Sequence, residues 1–128
     1  KLKYIKEWTQ KRIDNAGYYD ELFKKNDYVT TPLKYNNAKH VYHLYVIKCT
    51  RRDELKTYLE DNGISVAIHY PKPLPFLKAY KYLDLSEEDF SLSKQYQSEI
   101  LSLPMYPELT IEQMDYIYKN VCKFYELS

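Results

Sequence analysis

The sequence predicts an α+β fold: a two-layer small domain with a mainly antiparallel sheet and helices. Three observations predict it. The stretch VYHLYVIKC (41–49) is nearly all apolar, β-branched or aromatic, as strands are. ISVAIHY (64–70) alternates with a period of two. Segments with apolar residues three and four apart flank both. At 128 residues and 45% hydrophobic content, the chain is one domain's worth of polypeptide with enough apolar side chains for a core.

Residues 1–26 carry Leu2, Ile5, Trp8, Ile13, Ala16, Tyr19, Leu22 and Phe23 at helical spacing, which predicts a long amphipathic helix despite Gly17 in its middle. The run 41–49 predicts a strand covered on both faces. Thr50, with Asp53 three residues on, predicts an N-cap for a helix whose inner face is Leu55, Tyr58 and Leu59. Asn62-Gly63 ends that helix, because glycine accepts the left-handed turn that follows a helix. In the second strand, Ile64, Val66 and Ile68 face one side, and Ser65, Ala67 and His69 the other. Leu77, Tyr80 and Leu83 predict a short helical piece, and Leu92, Tyr96 and Ile100 a helix over 91–101. LSLPMYP (101–107) is expected to be extended, since residues before proline avoid the helical region. Thr110 and Gln113 form a capping box ahead of a last helix with Met114, Ile117, Val121 and Phe124 inward. Two strands do not make a stable sheet, so a third is expected from 101–107, from 28–35, or from outside the chain.

Composition narrows the function. The formal net charge is +1 with no basic block, which argues against a nucleic-acid binder. Only Gly17 and Gly63 are present, so no Gly-rich phosphate loop exists. Cys49 and Cys122 lie on unrelated segments without metal-ligand spacing and read as two buried free thiols in a reducing cytoplasm. No run approaches a membrane span and no signal peptide is visible. The chain starts with Lys rather than Met, which reads as processing or as part of a longer polypeptide. Sixteen tyrosines suit half-buried surfaces, where the ring is covered and the hydroxyl finds a partner.

The segment HYPKPLP (69–75) holds the candidate site. His69 and Tyr70 stand where a strand runs into a loop, and Pro71, Pro73 and Pro75 are expected to hold the following chain near polyproline geometry. Such stiffness presents a side chain at low entropic cost. The competing reading is a histidine bonded to backbone beside prolines that merely end a sheet. His40 and His43 point to opposite strand faces and do not share a metal; His43 reads as a core histidine. Asp53, Glu54 and the run 87–89 read as acids at helix N-termini. No serine or cysteine stands in a nucleophile-and-base arrangement, and no lysine has the apolar surroundings of a Schiff-base lysine.

In order, EWTQKRIDNAGYYDELF, HVYHLYVIKCTRRDELKTYLEDNGI, IHYPKPLPFLKAY and ILSLPMYPELTIEQMDYI resemble the C-terminal region of the DegT–StrS family of pyridoxal-phosphate-dependent sugar aminotransferases. The resemblance implies the small C-terminal domain of an aspartate-aminotransferase type (fold type I) enzyme. Residues 1–26 would be a long helix linking to a large domain, and residues 27–128 the small domain itself. It implies amino transfer from glutamate or glutamine to a keto-sugar nucleotide, with the pattern around IHYPKP similar to members acting on dTDP-linked 3-keto-6-deoxy sugars. His69 and Tyr70, matching the family's His-Tyr-Pro motif, become candidate contacts to the nucleotide-sugar substrate. Pyridoxal 5'-phosphate would be held by the large domain, not covalently by this segment, and the segment alone is expected to be inactive. The implied partners are that large domain and a second copy in a homodimer, in the cytoplasm, with no nucleic acid and no membrane. Two readings from other classes remain beside it: a stand-alone ligand- or RNA-binding module with tyrosines stacking on bases, and a regulatory or dimerisation remnant.

Overall fold

The computed structural model describes residues 1–126. A short 3₁₀ turn, Leu2–Tyr4, leads into α1 (Ile5–Phe23). There follow β1 (Val29–Thr30), β2 (Tyr45–Cys49) and α2 (Arg52–Asp61), then 3₁₀ turns at Leu74–Phe76, Lys78–Leu83 and Glu88–Phe90. Helix α3 (Ser91–Glu99), strand β3 (Ile100–Leu103) and helix α4 (Ile111–Glu126) complete the chain.

The sheet is antiparallel in the order β1-β2-β3. Both of the expected in-chain sources for a third strand contribute one. Val29 pairs with Cys49, and Tyr45, Val46, Ile47 and Lys48 pair with Leu103, Ser102, Leu101 and Ile100. This register puts Tyr45, Ile47, Cys49, Leu101 and Leu103 on one buried face, against Tyr19 and Phe23 of α1, Leu55 and Leu59 of α2, and Met114, Ile117 and Val121 of α4. The opposite face carries half-buried Val46, Lys48 and Ile100 around Ser102. Strand β2 is therefore sealed on one face only, not on both. Helix α3 lies against that second face, where the Lys48 ammonium stands 4.9 Å from the Tyr96 ring centroid.

Tyrosine hydroxyls tie the layers together. Tyr19 donates to the Pro104 carbonyl (3.2 Å), Tyr45 to Asp20 (2.6 Å) and Tyr125 to the Thr50 carbonyl (2.7 Å). Burial pushes the Tyr19 and Tyr45 phenols well above the usual tyrosine range. These hydroxyls therefore act as neutral donors.

The segment 64–70 differs from expectation. It keeps the predicted alternation, with Ile64 and Val66 in the core, but it makes a single bridge rather than a strand. The Ala67 amide donates to the Ser102 carbonyl (3.2 Å) and the Ser102 amide to the Ala67 carbonyl (2.7 Å). The ladder stops on both sides because its next partners are taken or missing. Opposite Ser65 would stand Pro104, which has no N–H. Opposite His69 would stand Ile100, whose N–H closes α3 on the Tyr96 carbonyl and whose carbonyl accepts from Arg52 (2.7 Å).

Thr50 does not cap α2. Arg51 takes the cap position in the left-handed region (φ 51°), its guanidinium on Glu54 at 2.6 Å, while the Thr50 carbonyl is held by Tyr125. The Thr110–Gln113 box forms as expected, the Gln113 amide on Thr110 Oγ1 (3.3 Å) and the Thr110 amide on Gln113 Oε1 (3.0 Å). Helix α2 ends before Gly63, at φ 75°. Helix α1 stops at Phe23, short of the expected 26, where the Asn26 amide turns back onto the Phe23 carbonyl.

His43 is exposed rather than a core residue, because β2 begins only at Tyr45. His40 instead accepts from the Tyr42 amide (2.9 Å). Of the two thiols, Cys49 is buried and Cys122 only half-buried, since α4 turns position 122 to the flank of its inward row. Burial pushes the Cys49 thiol up to about 11. A thiolate-selective reagent is expected to label Cys122 in the folded chain while Cys49 reacts only on denaturation. Peptide mapping after timed alkylation checks this, and equal rates at both positions would contradict it.

Candidate functional site

The unsealed face of the sheet leads to the candidate site. His69 lies two residues beyond the Ala67–Ser102 bridge and so on the same face as Ser102. Its ring is half-buried, with Nδ1 2.9 Å from Ser102 Oγ. Tyr70 follows across a cis peptide bond, its ring edge-on to the imidazole at 5.6 Å and 73% exposed.

The chain after His69 is stiff but not one continuous polyproline stretch. Pro73 has polyproline geometry (φ −61°, ψ 145°), and a 3₁₀ turn with Pro75 in its first positions then reverses the chain. The turn folds Leu74 and Leu77 toward α3. Between them opens an apolar cleft of about 520 Å³ walled by Tyr70, Pro71, Pro73, Leu77, Tyr96 and Ile100. Tyr70 lines this cleft, and His69 precedes it in the chain without lining it; apolar walls with a few polar groups suit an organic ligand.

A second cleft, of about 620 Å³, lies at the start of α2. Its two guanidinium groups are already engaged: Arg51 pairs with Glu54, and Arg52 with Asp53, while Lys48 lies over the Tyr96 ring. Arg52 also donates to the Ile100 and Gln97 carbonyls (2.7 and 3.0 Å) and is buried. It serves the fold, not a ligand. Among the described residues no group of His, Cys, Asp and Glu could hold a metal ion, and no helix is long and apolar enough to cross a membrane.

Sequence reasoning singled out His69 and Tyr70 as candidates but not Ser102, the residue His69 bonds in the fold. The signal was present: Ser102 interrupts the apolar run Ile-Leu-Ser-Leu, and a lone hydroxyl there needs a partner.

The arrangement of helices on an antiparallel sheet is that of solved sugar aminotransferases. The structure superposes on S. venezuelae DesV in complex with a ketimine intermediate with a TM-score of 0.91 at 26% identity, covering 98% of this chain and 34% of that one. On a DegT DnrJ EryC1 StrS aminotransferase from Brucella abortus the TM-score is 0.88 at 32% identity, over 96% and 32% of the two chains. A dTDP-3-amino-3,6-dideoxy-alpha-D-galactopyranose transaminase of Aneurinibacillus thermoaerophilus is 33% identical over 97% of this chain and 33% of its own length. A "Pleiotropic regulatory protein" of Geobacillus stearothermophilus is 34% identical over 98% of this chain and 34% of its own length. Residues 1–122 match the DegT/DnrJ/EryC1/StrS aminotransferase family, and the chain belongs to it. It spans about a third of the length of these relatives.

Pyridoxal 5'-phosphate, the cofactor of such enzymes, does not find its groups within the described residues. A Schiff-base lysine needs shielding that lowers its proton affinity, whereas Lys48 and Lys56 are half-buried and the other lysines exposed. A phosphate cradle needs converging backbone amides at a Gly-rich turn, whereas Gly17 lies inside α1 and Gly63 closes α2. No step through the cofactor belongs to these residues.

Proposed function

We propose that this chain is the small domain of a nucleotide-sugar aminotransferase, and that His69 and Tyr70 contact the nucleotide sugar while the cofactor is held by residues outside the chain. The observation that carries the reading is the pinned imidazole beside an exposed phenol at the edge of an apolar cleft, in a chain of this family. The substrate is a dTDP-linked 3-keto-6-deoxy sugar and the amino donor glutamate or glutamine. Relatives named as dTDP-3-amino-3,6-dideoxy and dTDP-3,4,6-trideoxy amino-sugar transaminases support the sugar class. The chain's part is binding, orientation and exclusion of water, which raise the rate without a covalent step. Residues 1–26 link to a preceding large domain, and residues 27–128 form the small domain. Leu2 is 86% exposed, and Tyr4 and Ile5 are exposed beside it, as expected of a helix start that packs on another body. The intact enzyme works as a homodimer in the cytoplasm.

In the full-length polypeptide, His69→Ala is expected to raise KM for the nucleotide sugar by about tenfold, the loss of one hydrogen bond to an organised site. KM for the amino donor should stay within error. Steady-state kinetics with each substrate varied in turn separates the two. An unchanged nucleotide-sugar KM would falsify the assignment.

A further inference from the structure

We propose that Ser102 is a positioning residue for His69: its hydroxyl donates to Nδ1, fixes the Nε2–H tautomer, and makes His69 a hydrogen-bond donor toward an acceptor oxygen of the ligand. The proposal rests on the substrate-contact reading of His69 and adds the direction in which that contact runs.

The direction follows from counting donors. Ser102 is 4% exposed, so its hydroxyl proton needs an acceptor within the protein. Nδ1 of His69, at 2.9 Å, is the one side-chain partner of Ser102 Oγ among the described residues. Were Nδ1 to carry the proton, the hydroxyl would accept that bond and its own hydrogen would be buried without a partner, which is destabilising. Donation from Ser102 satisfies both groups, and the neutral ring then carries its hydrogen on Nε2. Nε2 itself has no protein partner, yet it is not among the buried atoms that lack one; in the described residues that is Arg12 Nε alone. Nε2–H therefore reaches solvent, on a ring that stands edge-on to Tyr70.

The backbone makes the geometry hard to escape. Ser102 sits in β3, paired on one side with Val46 of β2 and on the other with both bonds of Ala67. The strand that carries the hydroxyl and the segment that carries the imidazole are thus locked to each other two residues before His69. A serine at this point costs an apolar contact in the sheet. What it returns is a histidine with one defined tautomer, where an imidazole free on both nitrogens would present a donor and an acceptor alike.

Two-bond 15N–1H correlation spectra of the histidine-labelled chain in mildly alkaline buffer read the tautomer directly. In the wild type the His69 signals are expected to show Nε2 protonated and Nδ1 bare. Ser102→Ala should move both nitrogens toward averaged shifts, and Ser102→Thr, which keeps the hydroxyl, should restore them. Amide spectra confirm that each variant is folded. Wild-type His69 protonated on Nδ1 overturns the proposal even if Ser102→Ala does not fold, and so does a folded Ser102→Ala with unmoved shifts. In the full-length polypeptide, Ser102→Ala should raise the nucleotide-sugar KM several-fold, with no further effect when added to His69→Ala. Unchanged KM in His69→Ala alongside the expected tautomer defeats the ligand-facing half together with the reading it rests on. Strict additivity of the two substitutions defeats the positioning role alone.

Discussion

Tyr45→Ala is expected to destabilise the chain by about 3–5 kcal/mol, the range for removing a buried aromatic ring. Tyr45 is fully buried at the start of β2, and its ring lies 4.9 Å from Tyr19 and 6.1 Å from Tyr42. Truncation leaves a cavity where α1 meets the sheet, bounded by backbone on both sides and slow to collapse. It also strips Asp20 of the Tyr45 hydroxyl (2.6 Å), leaving that carboxylate with Lys34, also at 2.6 Å. Tyr45→Phe separates the two contributions: it keeps the ring and should cost only about 1–2 kcal/mol, the usual worth of a hydrogen bond to a charged group. Urea unfolding followed by far-UV circular dichroism measures both, with the slope held constant as the test of two-state behaviour. A loss below that of Tyr45→Phe would show that the ring does not organise the α1–sheet contact.

Arg52→Ala should cost about 3–5 kcal/mol by a different route, the loss of two hydrogen bonds from a charged donor. The ion pair with Asp53 contributes little, because Asp53 is 83% exposed while Arg52 is 7% exposed. What matters is that Arg52 donates to the carbonyls of Gln97 and Ile100, where α3 gives way to β3. Without it two carbonyls at a partly buried junction lose their donors. Arg52→Lys is expected to recover less than half of the loss, since one ammonium does not reproduce the guanidinium fork. Hydrogen exchange should show the damage locally, as faster exchange in the last turn of α3 and at the Ser102 amide. Full rescue by lysine would mean that charge rather than fork geometry holds the junction.

Both residues bear on the candidate site although neither touches it. Tyr45 sets the buried face of the sheet, and Arg52 fixes where β3 begins. Together they determine where Ser102 stands, and Ser102 holds His69.

One part of the molecule is governed by neighbours in the chain and is legible from residue order alone. The inward rows of α2 and α4, the Thr110–Gln113 box, the stop at Gly63 and the two faces of 64–70 follow from spacing and local side-chain chemistry. So does the stiffening of the chain after His69 and Tyr70 by Pro71, Pro73 and Pro75, although the segment before it is no strand. Packing settles the outcomes in which distant groups compete for one donor or acceptor. Ile100 spends its N–H on α3 and its carbonyl on Arg52, so the 64–70 segment is left with one rung instead of a ladder. Tyr125 claims the Thr50 carbonyl while Arg51 takes the cap position of α2. Ser102 and His69 are 33 residues apart, and no periodicity links them. A residue's spacing fixes which way it points. Which partner it finds there is settled by packing, because each buried donor must be satisfied once and the fold alone determines which groups are within reach.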